Sequence, residues 1–219
     1  MSNTDSFIDE VSEEVRKDRL FGLFKKYGWI PAVLIVLLVG GAGVNEYFKS
    51  QERASAEALG DAVLGALEAE SAQTRAALLE EIGADTGHGQ ALVALIRSGQ
   101  LAQDGNADEA AAALEALSAD GEAPELYRDM ARLKRLVLLG ANMDTSERLS
   151  TIEALSAPGG AFRVLAQEQR AMVHVEMGEM EDAVEIFQNM ILDAQATPDM
   201  VQRARQMIVV LGGTLDAAQ

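Results

Sequence analysis

The chain has 219 residues, 48% of them hydrophobic, no cysteine and a net charge of −17. That length allows one membrane span and one domain of ordinary size. Without cysteine no disulfide, thiolate metal site, cysteine nucleophile or lipoprotein anchor is expected, and the acidic balance argues against holding nucleic acid or anionic lipid through the large domain.

Residues 1–26 carry five basic and six acidic side chains. Ile8, Val11, Val15, Leu20, Phe21 and Phe24 recur near helical spacing, which predicts a short amphipathic helix in this head. Such a helix positions the apolar segment after it, or meets a partner or the membrane surface. Residues 27–45, YGWIPAVLIVLLVGGAGVN, hold no charge. As a helix they cover roughly 28 Å, close to the hydrocarbon thickness of a bilayer.

The expected span has Leu34 and Leu38 near its middle. Tyr27 and Trp29 stand at its start and Tyr47 and Phe48 just past its end, where amphipathic rings favour the interface. Pro31 falls in the first turn, where its missing N–H breaks no helical bond. Gly40 and Gly43 are three apart, not the four of a GxxxG motif, so no oligomer is read from them. A cleaved signal peptide would need a 26-residue charged lead and a clean A-x-A site. A buried core helix apolar on all faces would need a larger core around it. Arg16, Lys17, Arg19, Lys25 and Lys26 precede the span, against Lys49 and Arg53 after it. The excess places the head in the cytoplasm and the C-terminal part outside, in the periplasm of a Gram-negative cell.

Residues 46–212 read as one helical domain, with 213–219 as a tail. Leu59, Val63 and Leu67 lie on one face of a helix over 46–69, a second helix covers about 72–82, and DTGHG at 85–89 reads as a turn. A repeat then appears. Gly105, Gly140 and Gly178 are 35 and 38 residues apart. Five residues after each stand Ala110, Thr145 and Ala183; nine after, Leu114, Leu149 and Phe187; twelve after, Leu117, Ile152 and Met190. Those offsets share one helical face, with a small residue where a neighbouring helix packs closely. Helices over about 90–103, 124–139 and 160–177 precede the glycines, each with an arginine eight residues before it: Arg97, Arg132 and Arg170. Thr197 and Pro198 open a terminal helix whose stripe is Met200, Ala204, Met207, Ile208 and Leu211, ended by Gly212 and Gly213. The expected fold is all-α: one N-terminal transmembrane helix, then a tetratricopeptide-like α-solenoid of antiparallel helix pairs.

The head motif DEVSEEVRKDR, KKYGW at the start of the span, and EQRAMVHVEMGEMEDAVEIF followed by ATPDMVQRARQMI resemble the ancillary subunit family of the bacterial Sec translocon (the YfgM type). The resemblance implies a single-pass inner-membrane protein with a periplasmic repeat domain. It further implies association with the SecYEG channel and a membrane-anchored periplasmic chaperone, and assistance to exported client proteins. It brings no catalytic residues. The usual aromatic positions of tetratricopeptide units are mostly aliphatic in this chain.

Little else suggests chemistry. The two histidines, His88 and His174, have no H-x-x-x-H partner, so no metal site or cofactor is expected. No G-x-S-x-G context supports Ser/His/Asp catalysis, so no enzyme and no small-molecule substrate is expected. His174 reads as a groove-lining or partly buried residue. Arg128, Arg132, Lys134 and Arg135 share one helix: a solvated face pairing with Glu125 and Asp129, or a docking patch for an acidic partner. The run Glu176, Glu179, Glu181, Asp182 and Glu185 is a solvated face or, beside a groove, an attractant for basic segments. Met172, Met177, Met180, Met190, Met200 and Met207 supply core, or a groove that adapts to varied apolar clients. The function expected is a membrane-tethered protein-binding adaptor at the translocon, the alternative a scaffold or coordinator of an envelope or division complex.

Overall fold

A computed structural model describes residues 26 and 29–214; the predicted head helix and Tyr27 lie outside them. The described residues form nine α-helices, one 3-10 turn and no strand. In chain order the helices are α1 Trp29–Leu67, α2 Ala72–Glu80, α3 Gly87–Gln103, α4 Ala107–Ala119, α5 Glu125–Leu139, α6 Thr145–Leu155, α7 Arg163–Met177, α8 Met180–Ile191 and α9 Pro198–Val210. The chain divides into two units, Met1–Glu57 and Ala58–Gln219.

α1, whose residues up to Glu57 belong to the first unit, is long and apolar enough to cross a membrane. Pro31 falls in its first turn. Its large apolar side chains face outward: Trp29 is 63% exposed, and Leu34, Leu38, Val44, Tyr47 and Phe48 are similarly open. Gly43 is exposed too, with open space where a Cβ would stand. By length and composition, and with its apolar side chains unburied on all sides, this helix meets the description of a membrane span.

The second unit stacks helices in antiparallel pairs. Local rules place most boundaries. Thr197 Oγ1 accepts from the Met200 N–H, with Pro198 at the first helical position of α9. After α3 and α7 the chain turns on Gly105 (φ +85°) and Gly178 (φ +80°), in the left-handed region where a Cβ is strained. At Gly178 the Glu179 N–H reaches the His174 carbonyl at 2.9 Å and the Gly178 N–H the Val175 carbonyl at 3.1 Å, closing α7 in a Schellman motif. The DTGHG stretch is not wholly a turn. Thr86 caps α3 by accepting from the Gly89 N–H, so Gly87, His88 and Gly89 are helical. Gly87 is required by packing, because a Cβ there would collide with the Glu122 carbonyl oxygen.

The core is a chain of clusters handed from pair to pair. Val63, Ala66, Leu79 and Val93 join α1, α2 and α3. Ala91, Leu95, Leu114, Leu117 and Ala131 join α3, α4 and α5. Leu133, Leu136, Ile152, Leu155, Ala166 and Val173 join α5, α6 and α7, and Phe187, Met190, Ala204 and Ile208 close the stack. Ala110, Leu114 and Leu117 are buried at their expected offsets, as are Ala183, Phe187 and Met190.

The middle repeat differs. Leu149, expected to pack, is 39% exposed, and the buried face of α6 is Arg148, Ile152 and Leu155. The cause is a 3-10 turn at Gly140–Asn142, after which Asp144 caps α6. It shifts the helix face three residues beyond the position the glycine register predicts. Arg148 therefore occupies the position held by Ala110 and Ala183.

Candidate functional site

The first helices of successive pairs, α3, α5 and α7, line a groove in the second unit, with Leu114 contributed by α4. Ser98, Gly99 and Ala102 form one wall, Leu133, Lys134, Val137 and Leu138 the middle, Leu165 and Gln169 the other wall. The cavity measures about 380 Å³, within the size range of sites that hold a ligand or peptide side chains. Its surface is largely apolar. The Ser98 hydroxyl donates to the Leu95 carbonyl at 2.9 Å and so is already satisfied within its own helix. Val137 is 58% exposed, an aliphatic residue left to solvent in the last turn of α5. Gly99 leaves open space where a Cβ would stand, so the helix gives up roughly 0.5–1 kcal/mol relative to alanine with no packing need for it.

Two arginines of the α5 cluster are engaged within the domain. Arg132 Nη1 meets Asp129 Oδ1 at 2.7 Å and its Nη2 the Ser118 carbonyl at 3.4 Å. Arg135 bridges Glu147 at 2.5 Å and Glu115 at 3.4 Å. Arg128 is half-buried, with its Nε shielded from water. Arg132 and Asp129 line a second, more polar cavity of about 440 Å³ beside the Ala157–Phe162 loop. Two of the repeat arginines do tie helices together at a fixed interval of 17 residues: Arg97 to Glu80 at 2.9 Å, and Arg170 to Glu153.

His174 lies away from the groove lining, in the last turn of α7, partly buried. Its Nδ1 is 2.7 Å from Glu179 Oε2, and Asp182 brings a carboxylate within 4.8 Å of both ligand atoms. Among the described residues this trio is the arrangement that could hold a cation, and sequence spacing did not reveal it because the Gly178 turn, not a helix face, brings it together. The His174–Glu179 hydrogen bond already accounts for the geometry. Asp182 also stands in the first turn of α8, where a carboxylate is favoured by the helix dipole.

Elsewhere the electrostatics serve the fold. Asp193 has its pKa lowered below the usual carboxylate value, first by the Gln195 backbone N–H and then by the Arg163 guanidinium. Asp144 is lowered chiefly by the Ser146 hydroxyl, with the Glu147 and Ser146 backbone N–H groups adding to it. Glu168 accepts two hydrogen bonds from Arg203, at 2.9 and 2.8 Å, and raises the pKa of that arginine. Of the terminal methionines Met190 is buried, Met172, Met200 and Met207 pack against the last cluster, and Met177 and Met180 stay exposed.

No curated protein and no solved structure matches the chain. A family model described as a tetratricopeptide repeat-like domain matches residues 23–208. That match takes in the helix pairs and the groove between them, and the chain belongs to this tetratricopeptide repeat-like family.

Proposed function

We propose that this protein is a membrane-tethered, protein-binding adaptor that works at the Sec translocon. One observation carries the binding half of this reading: an apolar groove, with Val137 exposed in it, on a repeat domain of a kind that generally binds proteins. A helix long and apolar enough to cross a membrane supports the tether. The excess of Lys and Arg before that helix supports a cytoplasmic head of residues 1–26, a span over 27–45 and a periplasmic domain over 46–212 in the inner membrane. The translocon, the membrane-anchored periplasmic chaperone and the exported clients rest on the resemblance of the head and last-repeat motifs. The mechanism is binding without turnover. Tethering confines the domain to the channel exit and raises its effective concentration there.

A protease added to spheroplasts removes the large domain if this orientation holds; its protection, with the head cut instead, reverses the topology. The partner assignment is tested by photo-crosslinkers at Val137, Arg132 and His174, with a mild-detergent pull-down from native membranes. Adducts with the channel or a periplasmic chaperone support the proposal. Adducts confined to division or cell-wall proteins replace it with an envelope scaffold.

A further inference from the structure

The groove carries one charge, and that charge has no internal partner among the described residues. Lys134 is the sole lysine beyond Lys49 in the chain. Its neighbours in kind are engaged: Arg97, Arg135, Arg148, Arg163, Arg170 and Arg203 each meet a carboxylate. Lys134 is exposed at the groove and meets no carboxylate among the described residues. Gln169 on the facing wall likewise has no hydrogen-bond partner among them. In a domain with a large excess of acids, an unpaired ammonium at the groove stands apart from these paired arginines.

Resting on the reading of the groove as a protein-binding site, we propose that it takes an apolar peptide segment carrying one internal aspartate or glutamate, whose carboxylate pairs with Lys134. The position of Lys134 favours an internal residue over a chain terminus. It stands on α5, the middle helix, with Ser98, Gly99 and Ala102 to one side and Leu165 and Gln169 to the other. A segment ending at Lys134 would fill one side only, whereas one passing over it covers both. The exposed Val137, one turn along α5, and the open Cβ direction of Gly99 give the flanking apolar side chains their seats. The Gln169 amide is placed to hydrogen-bond a peptide group of the occupant. The charge pair supplies selection and register, and the apolar walls most of the affinity.

The test uses the full chain in lipid nanodiscs, with empty nanodiscs as the control for membrane partitioning. The probes are fluorescein-labelled nonapeptides of leucine, valine and alanine with one central glutamate, glutamine or lysine. Fluorescence polarisation is expected to rank glutamate above glutamine by about fivefold, the upper range for a solvent-accessible ion pair, with the gap narrowing as salt is raised. Lys134→Met should abolish that gap, and Lys134→Glu should transfer the preference to the lysine peptide. Equal binding of the glutamate and glutamine peptides, or a gap that survives Lys134→Met, overturns the pairing while leaving the groove as a binding site. If none of the three peptides binds above the empty-disc control, the groove reading itself falls, and the pairing with it.

Discussion

Arg148 offers the sharpest energetic test, because its pair with Glu176 is asymmetric in burial. The Arg148 side chain is 5% exposed and that of Glu176 39%. Arg148 Nη2 meets Glu176 Oε1 at 3.1 Å and Nη1 meets the other oxygen, while its Nε is buried without a partner. Removing Glu176 leaves a buried cation with no counter-charge, which costs about 3 kcal/mol. Removing Arg148 leaves a carboxylate that water reaches, so Arg148→Ala costs only about 1–2 kcal/mol, mainly the packing of its stem. At roughly 2–4 °C per kcal/mol for a domain of this size, Glu176→Ala should lower Tm by about 6–12 °C and Arg148→Ala by about 2–8 °C. Arg148→Met, which keeps volume and drops the charge, should lie close to wild type. Thermal unfolding of the full chain by far-UV circular dichroism measures all three. A larger loss for Arg148→Ala than for Glu176→Ala would show that the burial argument has the wrong sign.

Local features set three further outcomes. Gly178→Ala must place a Cβ at φ +80° and should cost about 1 kcal/mol, whereas Gly99→Ala, in a helix interior with open space, should stabilise by up to about 1 kcal/mol in the same melts. Thr197→Ala removes a cap whose hydrogen bond is long at 3.4 Å, so about 0.5 kcal/mol is expected by urea unfolding. Asp193 has its pKa lowered in the fold by the Gln195 N–H and Arg163, so it adds stability above its unfolded value of about 3.8 and loses it as pH falls through the lower folded value. Asp193→Asn should therefore flatten the acid limb of stability below about pH 4, and an unchanged limb would count against that pairing.

The repeat architecture was legible because it rests on short-range signals: glycines that need left-handed backbone, small residues at close helix contacts, and a Thr-Pro helix start. The first and third repeats obey the same offsets in sequence and in space, through Ala110 with Leu114 and Ala183 with Phe187. The middle repeat broke the register because three residues at Gly140–Asn142 went into a 3-10 turn, and residue counting alone cannot tell a turn residue from a helical one. As a result Arg148 took the place expected of Thr145, and Ile152 that expected of Leu149. The arginines on α5 showed a basic helix but not where their partners lay, since Glu115, Ser118 and Glu147 come from neighbouring helices. The groove was hidden for the same reason. Lys134 and Val137 look like ordinary surface positions until α3 and α7 stand on either side of them.

The measurement that tests the central claim most directly is partner recovery with the groove filled. Gly99→Trp directs an indole into the groove through space that is open, and Gly121→Trp places the same side chain at an exposed turn as a control. Both are introduced into the full chain and pulled down from native membranes in mild detergent, with Tm confirming that each is folded. The account predicts that Gly99→Trp loses its protein partners while Gly121→Trp keeps them. A folded Gly99→Trp that recovers the wild-type set would contradict it, and would place the working surface of this domain somewhere other than the groove.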